Sequence, residues 1–270
     1  MRHRGTRRVR AWFLGITCAV LASGQGFAEP LRICADPNGL PYSNQRGEGF
    51  ENELAVLLAQ ELERELSYLW WPQRRGFLRQ LREGRCDAVM GIPVDHDRVS
   101  TTRPYYRSSY VFLTKQDLGF APKSLNSPGL RDVRIGVHLI GDDYVNSPPA
   151  HALAARGIIG NVVGYSVFGD YAEDSPPRAL VDAVGSGEVD VAVVWGPIGG
   201  FFAREQPVAL RMDILETEPE DSGMRFVFEM AIAVKPGNEI LRDRIDQALE
   251  RRSEDVARLL SKFGIPVLHP

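Results

Sequence analysis

Two stretches decide the architecture: GRCDAVMGIP at residues 84–93 and GEVDVAVVWGP at residues 187–197. In each, a glycine ends a helical pattern, a short step leads to an aspartate, and an apolar strand follows (residues 87–92 and 190–195). Apolar runs of this length, bounded by turn signals, read as strands buried on both faces. The echo makes the chain two copies of one α/β unit. Working outward, the first copy takes in a strand at Leu31–Ala35, a helix over residues 50–66, a strand over 68–71 and a short helix at Phe77–Arg82. The helix carries Leu54, Leu57, Leu58, Leu62 and Leu66 on one face. A strand at 110–114 leads out of this unit. The second copy begins near Lys115, with strands at 134–137 and 162–165. Ser147-Pro148 and Ser175-Pro176 each read as a helix cap followed by proline in the first helical turn. A strand at Met230–Val234 crosses back, followed by helices over 238–251 and 253–263 that Gly264 closes. Strands alternating with helices imply a parallel sheet with helices on its faces. The expected fold is therefore α/β, with two lobes joined by two hinge crossings and a cleft between them. Lobe 1 comprises residues 29–114 and 230–270, and lobe 2 residues 115–229. Ligands in such sheets bind beyond the carboxyl ends of the strands. Here those ends fall at residues 36–42, 91–98, 140–144 and 195–200.

The chain has 270 residues, 44% apolar and 25% charged, with a formal net charge of -3. Its first 28 residues hold five arginines and no acid, then an apolar stretch over 11–22 and small residues at Gly26 and Ala28. This is the pattern of a signal peptide cleaved before Glu29. The apolar stretch is shorter than the ~20 residues a membrane span needs. The Arg7-Arg8 pair is followed by residues that do not fit a twin-arginine signal. The mature chain is expected to be a monomer in the periplasm with no transmembrane segment. It retains 27 basic and 35 acidic residues. An acidic body repels phosphates and argues against nucleic acid as a partner. Cys18 leaves with the signal. Cys34 and Cys86 remain, and an oxidising compartment allows either a disulfide or two buried thiols.

The order of motifs resembles the type II periplasmic solute-binding proteins that take polar amino acids. Asp36-Pro37, Pro41-Tyr42, Gly49-Phe50-Glu51, Leu81, Gly84, Asp87, Arg98, Gly141, Gly187 and Asp190 carry that resemblance, which spans residues 31 to 264. Seven longer strings sharpen it: CADPNGLPYSN, GEGFEN, WWPQRRGFLR, GRCDAVMG, TTRPYYRSSYVF, DYVNSPPAHALAARGI and PPRALVDAVGSGEVDVAVVWGP. They resemble the MoxJ and XoxJ type of accessory protein encoded with PQQ-dependent methanol dehydrogenases. That resemblance implies a two-lobed periplasmic protein that serves a quinoprotein methanol dehydrogenase or its cytochrome c, in maturation or activation.

The cleft positions depart from the amino-acid receptors. In those relatives an arginine grips the ligand carboxylate in a bidentate fork, and Arg98 stands at that place. The hydroxyl run before it reads Gly91-Ile92-Pro93-Val94 here. A Gly-Thr that receives the carboxylate at a helix start is Gly141-Asp142-Asp143, whose acids repel an anion. The place of the acid that binds the ammonium holds Trp195, and the aromatic lid is Gly39. The candidate cleft set is Asp36, Asn38, Tyr42, Trp71, Arg74 and Gly91, with Ile92, Arg98, Gly141, Asp142, Trp195 and Pro197. A cleft of this kind suits an apolar small molecule, a peptide or a partner's helix or loop, since Trp and Arg anchor interfaces. Trp195 also reads as plain core at a strand end, Arg74 and Arg75 as a solvated loop, and Tyr105 and Tyr106 as packing near the hinge.

No metal-ligand spacing, nucleophile elbow, P-loop or dinucleotide fingerprint occurs. Asp95-His96-Asp97 is an acidic turn of the kind usually solvated. Asp36, Glu48 and His96 are the only acid–base candidates in the cleft segments. The expectation is a non-enzyme without cofactor or metal. The alternative is the substrate-binding component of an ABC transporter for a small solute.

Overall fold

The computed structural model describes residues 29–140, 146–168, 174–221 and 223–269. The strands are β1 (Leu31–Ala35), β2 (Asn38–Gly39), β3 (Ser43–Asn44), β4 (Leu66–Trp70), β5 (Ala88–Pro93) and β6 (Ser100–Thr101). They continue with β7 (Tyr106–Lys115), β8 (Ile135–Leu139), β9 (Val162–Ser166), β10 (Val191–Trp195), β11 (Leu210–Ile214) and β12 (Val227–Val234). The helices are α1 (Phe50–Glu61), α2 (Phe77–Arg82), α3 (Pro148–Ala155), α4 (Ala179–Ser186), α5 (Gly196–Ala203), α6 (Glu239–Arg251) and α7 (Ser253–Lys262).

The main sheet runs β4-β1-β5-β12-β7-β10-β8-β9, with β6 on β12 and β11 on β7; β2 and β3 form a separate hairpin. The order is symmetric about its centre. On one side β1 lies parallel between β4 and β5. On the other, β8 lies parallel between β10 and β9. Both crossings are strands: β7 pairs with β12 through residues 106–109 and with β10 through residues 110–114.

Alternation buries both faces of β10. Val191 and Val193 join a core with Phe112, Ile135 and Leu153, while Ala192 and Val194 join one with Leu180 and Phe202. In β5 the alternation is interrupted. Ala88 and Met90 face the core beneath α1, α6 and α7, and Val89 faces the core beneath α2. At Gly91 the ladder to β12 slips by one residue, and Gly91 takes φ +65°. Glycine supplies that left-handed conformation without a Cβ penalty. The bulge turns Ile92 into the α2 core beside Val89.

Several boundaries move from the sequence expectation. The first long helix ends at Glu61 rather than residue 66, because Glu63 turns at φ +54° and Leu66 opens β4 opposite Leu31. The leucine at helical spacing thus belongs to the next strand. Ser147 occupies the cap position of α3 but makes no capping bond. Ser175 leads into a single 3-10 turn before α4, and Gly187 closes that helix at φ +83°. Cys34 and Cys86 are joined by a disulfide, with Cα atoms 5.6 Å apart.

After α7 the chain runs back along the crossing. The Ser108 hydroxyl donates to the Pro266 carbonyl at 2.6 Å, and the Leu268 N–H donates to the Arg107 carbonyl at 2.8 Å. The tail lies against α5 so closely that a Cβ on Gly200 would sit 2.0 Å from the Gly264 carbonyl oxygen.

Candidate functional site

A cavity of about 280 Å³ opens at the carboxyl ends of β1, β5, β8 and β10. It is bounded by the loop after β1, by α1 and β5 on one side, and by β8, β10, α5 and β12 on the other. Asp36, Tyr42, Gly91 and Trp195 of the sequence candidates line it. Asn38, Trp71, Arg74, Ile92, Arg98 and Pro197 do not. Gly141 and Asp142 lie outside the described residues.

Asp36 is buried, and its carboxylate organises the loop. Its two oxygens accept the backbone N–H groups of Asn38 at 2.9 Å and Gln73 at 2.6 Å. Tyr42 sits over Phe50 with ring centroids 5.6 Å apart. Burial raises its phenol well above the usual range, Glu51 and Tyr110 push the same way, and a hydrogen bond with Trp195 opposes them. Trp195 ends β10 and packs edge-on against Tyr110 at 5.3 Å and Phe228 at 5.7 Å. It is both core and cavity wall.

The remaining candidates have other surroundings. Asn38 ties the two sides together, its side-chain oxygen accepting the Ser175 N–H at 3.0 Å. Arg46 and Asp174 form a second tie at 3.3 Å. Trp71 lies under the Arg85 guanidinium, 5.5 Å away. Arg74 is exposed in a 3-10 turn. Pro197 is buried in the first turn of α5. Arg98 leaves its side chain 69% exposed beside Asp97. Among the described lining residues there is no lysine or arginine.

Sequence reading missed three lining residues with unusual chemistry. Glu51, in the first turn of α1, receives one hydrogen bond, from the Tyr105 hydroxyl at 3.4 Å. Burial pushes its carboxyl up to about 8, so it is protonated at neutral pH. A Cβ on Gly91 would stand 2.6 Å from its Oε1, so the glycine gives the acid its room. His138 on β8 is buried and held down to about 4 by that burial; it is neutral, and its Nε2–H donates to the Pro177 carbonyl at 3.1 Å. The hydroxyl of Ser147 is buried without a hydrogen-bond partner. The GEGFEN string placed Glu51 in view, and nothing local marked it as buried. Among the described residues no three His, Cys, Asp or Glu side chains gather into a metal-holding group.

A symmetric sheet with its cavity at the carboxyl ends of strands from both halves is the frame of a two-sided solute-binding protein. Residues 31–265 match the bacterial extracellular solute-binding proteins, family 3, and the chain belongs to that family. It is similar to protein MoxJ of Methylorubrum extorquens, 30% identical over 249 residues, which cover 89% of this chain and 82% of that protein. The crystal structure of MxaJ from Methlophaga aminisulfidivorans MPT superposes with a TM-score of 0.73 at 31% identity, covering 88% of this chain and all of that one (100%). Periplasmic binding protein XoxJ from Methylobacterium extorquens AM1 gives 0.73 at 28% identity, covering 89% and 100%. Among the described residues no helix is long and apolar enough to cross a membrane.

Proposed function

We propose that this chain is a non-enzymatic accessory factor of a PQQ-dependent methanol dehydrogenase, exported to the periplasm, where it docks on the dehydrogenase or its cytochrome c. One observation carries the reading. The arginine placed to grip an amino-acid carboxylate stands exposed beside Asp97, and no cation lines the cavity among the described residues. The carboxylate of an amino acid entering that cavity would lose its water without gaining a cationic partner among the described lining residues. The likeness to MoxJ, MxaJ and XoxJ supports the same direction. In this reading residues 29–114 with 230–270 form one lobe, residues 115–229 form the other, and cleavage before Glu29 releases the mature protein.

Calorimetric titration of the mature protein against its neighbouring quinoprotein dehydrogenase and cytochrome tests this. Saturable binding to either, with no response to amino acids, is the expected result. Absence of binding to both, with a transporter membrane component capturing the protein instead, overturns it. A second reading, the receptor component of an ABC transporter, is favoured by the cavity itself, which is lined from both halves of the sheet as a solute site is.

A further inference from the structure

We propose that β11 pairs edge to edge with β11 of a second copy of this chain, antiparallel about a two-fold axis at Met212. This interface is separate from the cavity and stands whether or not a dehydrogenase binds. It departs from the monomer expected from the sequence.

The free edge is short and well bounded. β11 lies antiparallel to β7 on one side, and among the described residues no strand pairs with its other side. The Gln116 N–H donates to the Ala209 carbonyl at 2.9 Å, and the Leu215 N–H donates to the Tyr110 carbonyl at 3.1 Å. Antiparallel bonding recurs at every second residue, so Ala209, Arg211, Asp213 and Leu215 turn their backbone groups to β7. Those of Leu210, Met212 and Ile214 point the other way. Pro207, without an N–H, precedes this edge. At its far end the Glu216 N–H donates to the Lys123 carbonyl at 2.7 Å. An unpaired edge of this kind is a template for another strand.

The sequence of the edge, Leu-Arg-Met-Asp-Ile, complements itself when reversed. With Met212 opposite its own copy, Leu210 falls opposite Ile214 and Arg211 opposite Asp213, twice over. The outward backbone groups of Leu210, Met212 and Ile214 then meet in about six N–H to carbonyl bonds. Leu210, Met212 and Ile214 share one face, beside α5, where Met212 is 38% and Ile214 45% exposed. Pairing extends that apolar strip across the axis. On the other face the Arg211 Nε donates to Asp213 at 2.9 Å, and its Nη2 donates to Thr114 Oγ1 and the Phe120 carbonyl. Among the described residues Nη1 of Arg211 and Oδ1 of Asp213 have no partner, which leaves them for the opposite charge of the second copy. Opposite charges directly across an antiparallel pair stabilise it, and like charges oppose it. The strands that end the main sheet, β4 (LSYLW) and β9 (VVGYS), carry no charge with which to fix a register. A two-fold contact uses each edge once, so assembly stops at the dimer.

Sedimentation equilibrium of the whole mature protein tests this. A reversible dimer with Kd of about 10–100 µM is expected, at the weak end of specific interfaces. Met212→Lys sets two ammonium groups together at the axis, on an exposed position that leaves the monomer folded, and should weaken association at least about tenfold. Arg211→Asp and Asp213→Arg should each do the same alone. Mixed one to one, those two variants should recover association as a heterodimer, because each then meets its opposite charge; a folding defect is not repaired by mixing. Amide exchange reads the edge directly: the Met212 and Ile214 N–H groups should exchange fast in dilute protein and slowly in concentrated protein, with those of Arg211 and Asp213 slow in both. A single species of monomer mass up to 500 µM (about tenfold above the expected Kd), a dimer indifferent to Met212→Lys, a mixture no stronger than its components, growth beyond the dimer, or protection of these amides only when the dehydrogenase is added would each overturn the proposal.

Discussion

The two copies of the α/β unit agree at one end of their strands and part at the other. In the first, Asp87 precedes β5 and accepts the Arg32 backbone N–H at 3.0 Å and its guanidinium at 2.7 Å. In the second, Asp190 precedes β10 and accepts the Arg134 backbone N–H at 2.9 Å and its guanidinium at 2.7 Å. The registers match as well: Ile33 lies opposite Ala88, and Ile135 opposite Val191. Each aspartate thus clamps the start of a buried strand to the start of its parallel neighbour. At the far ends the likeness stops. The first copy has a bulge at Gly91 and Pro93; the second has Trp195 and a helix that begins at Gly196. Amino-terminal ends hold the architecture, where any drift would shift every side chain down the strand. Carboxyl ends line the cavity and are free to differ.

Four changes probe that contrast, from the largest expected effect down. The disulfide belongs to the first copy alone and closes a loop of 52 residues. Replacing both Cys34 and Cys86 by alanine should cost about 4 kcal/mol in urea unfolding, the chain-entropy value for such a loop. A negligible loss would show that the clamps alone hold β1 to β5. Next come the clamps. Asp87→Ala should cost about 2–3 kcal/mol and Asp190→Ala about 1–2 kcal/mol, since Asp87 also receives Arg64 at 3.2 Å. Arg134 holds the Asp190 carboxyl below its ordinary value. Its share of stability is therefore present above about pH 4 and lost as pH falls through the lowered value. Unfolding curves from pH 6 to pH 2.5 should lose that slope in Asp190→Asn.

Gly91→Ala comes third, at about 1–2 kcal/mol, for a side chain forced to φ +65° against Glu51. Its counterpart by spacing, Val194, already carries a side chain in the core. Thermal denaturation of the pair Gly91→Ala and Val194→Ala separates strain in one copy from lost packing in the other. Arg98→Ala is smallest, within about 0.5 kcal/mol by the same measurement, because the side chain is exposed. A larger loss would mean that the arginine still has structural work near the first copy's carboxyl end.

The echo at 84–93 and 187–197 made the two-copy α/β arrangement and the place of the cavity legible before any coordinates, but not the strand order: the expected parallel sheet is antiparallel across its centre, where β12 and β7 lie between β5 and β10. What stayed hidden depended on contacts distant in sequence. Residues 195–200 read only as the carboxyl end of a strand, yet α5 begins at Gly196, and Gly196 and Gly200 make room for the returning tail. Ile92 read as cavity wall from its place in the run before Arg98; the bulge at Gly91 turns it into the core beneath α2 instead. Trp71 read as a cleft anchor and instead stacks under Arg85. Glu51 was quoted as a motif residue without its chemistry. A carboxyl becomes a neutral acid only through what packs around it, and Tyr105, its hydrogen-bond donor, lies 54 positions away.

The returning tail has a practical meaning as well. Its last described residues are bonded to the crossing strand at Arg107 and Ser108 and rest on a helix of the second half. A dye or spin label attached just beyond Leu268 therefore sits beside the strand that crosses between the two halves. The C-terminus is a natural vantage point for testing whether the two halves turn, and the wrong place for a bulky purification tag.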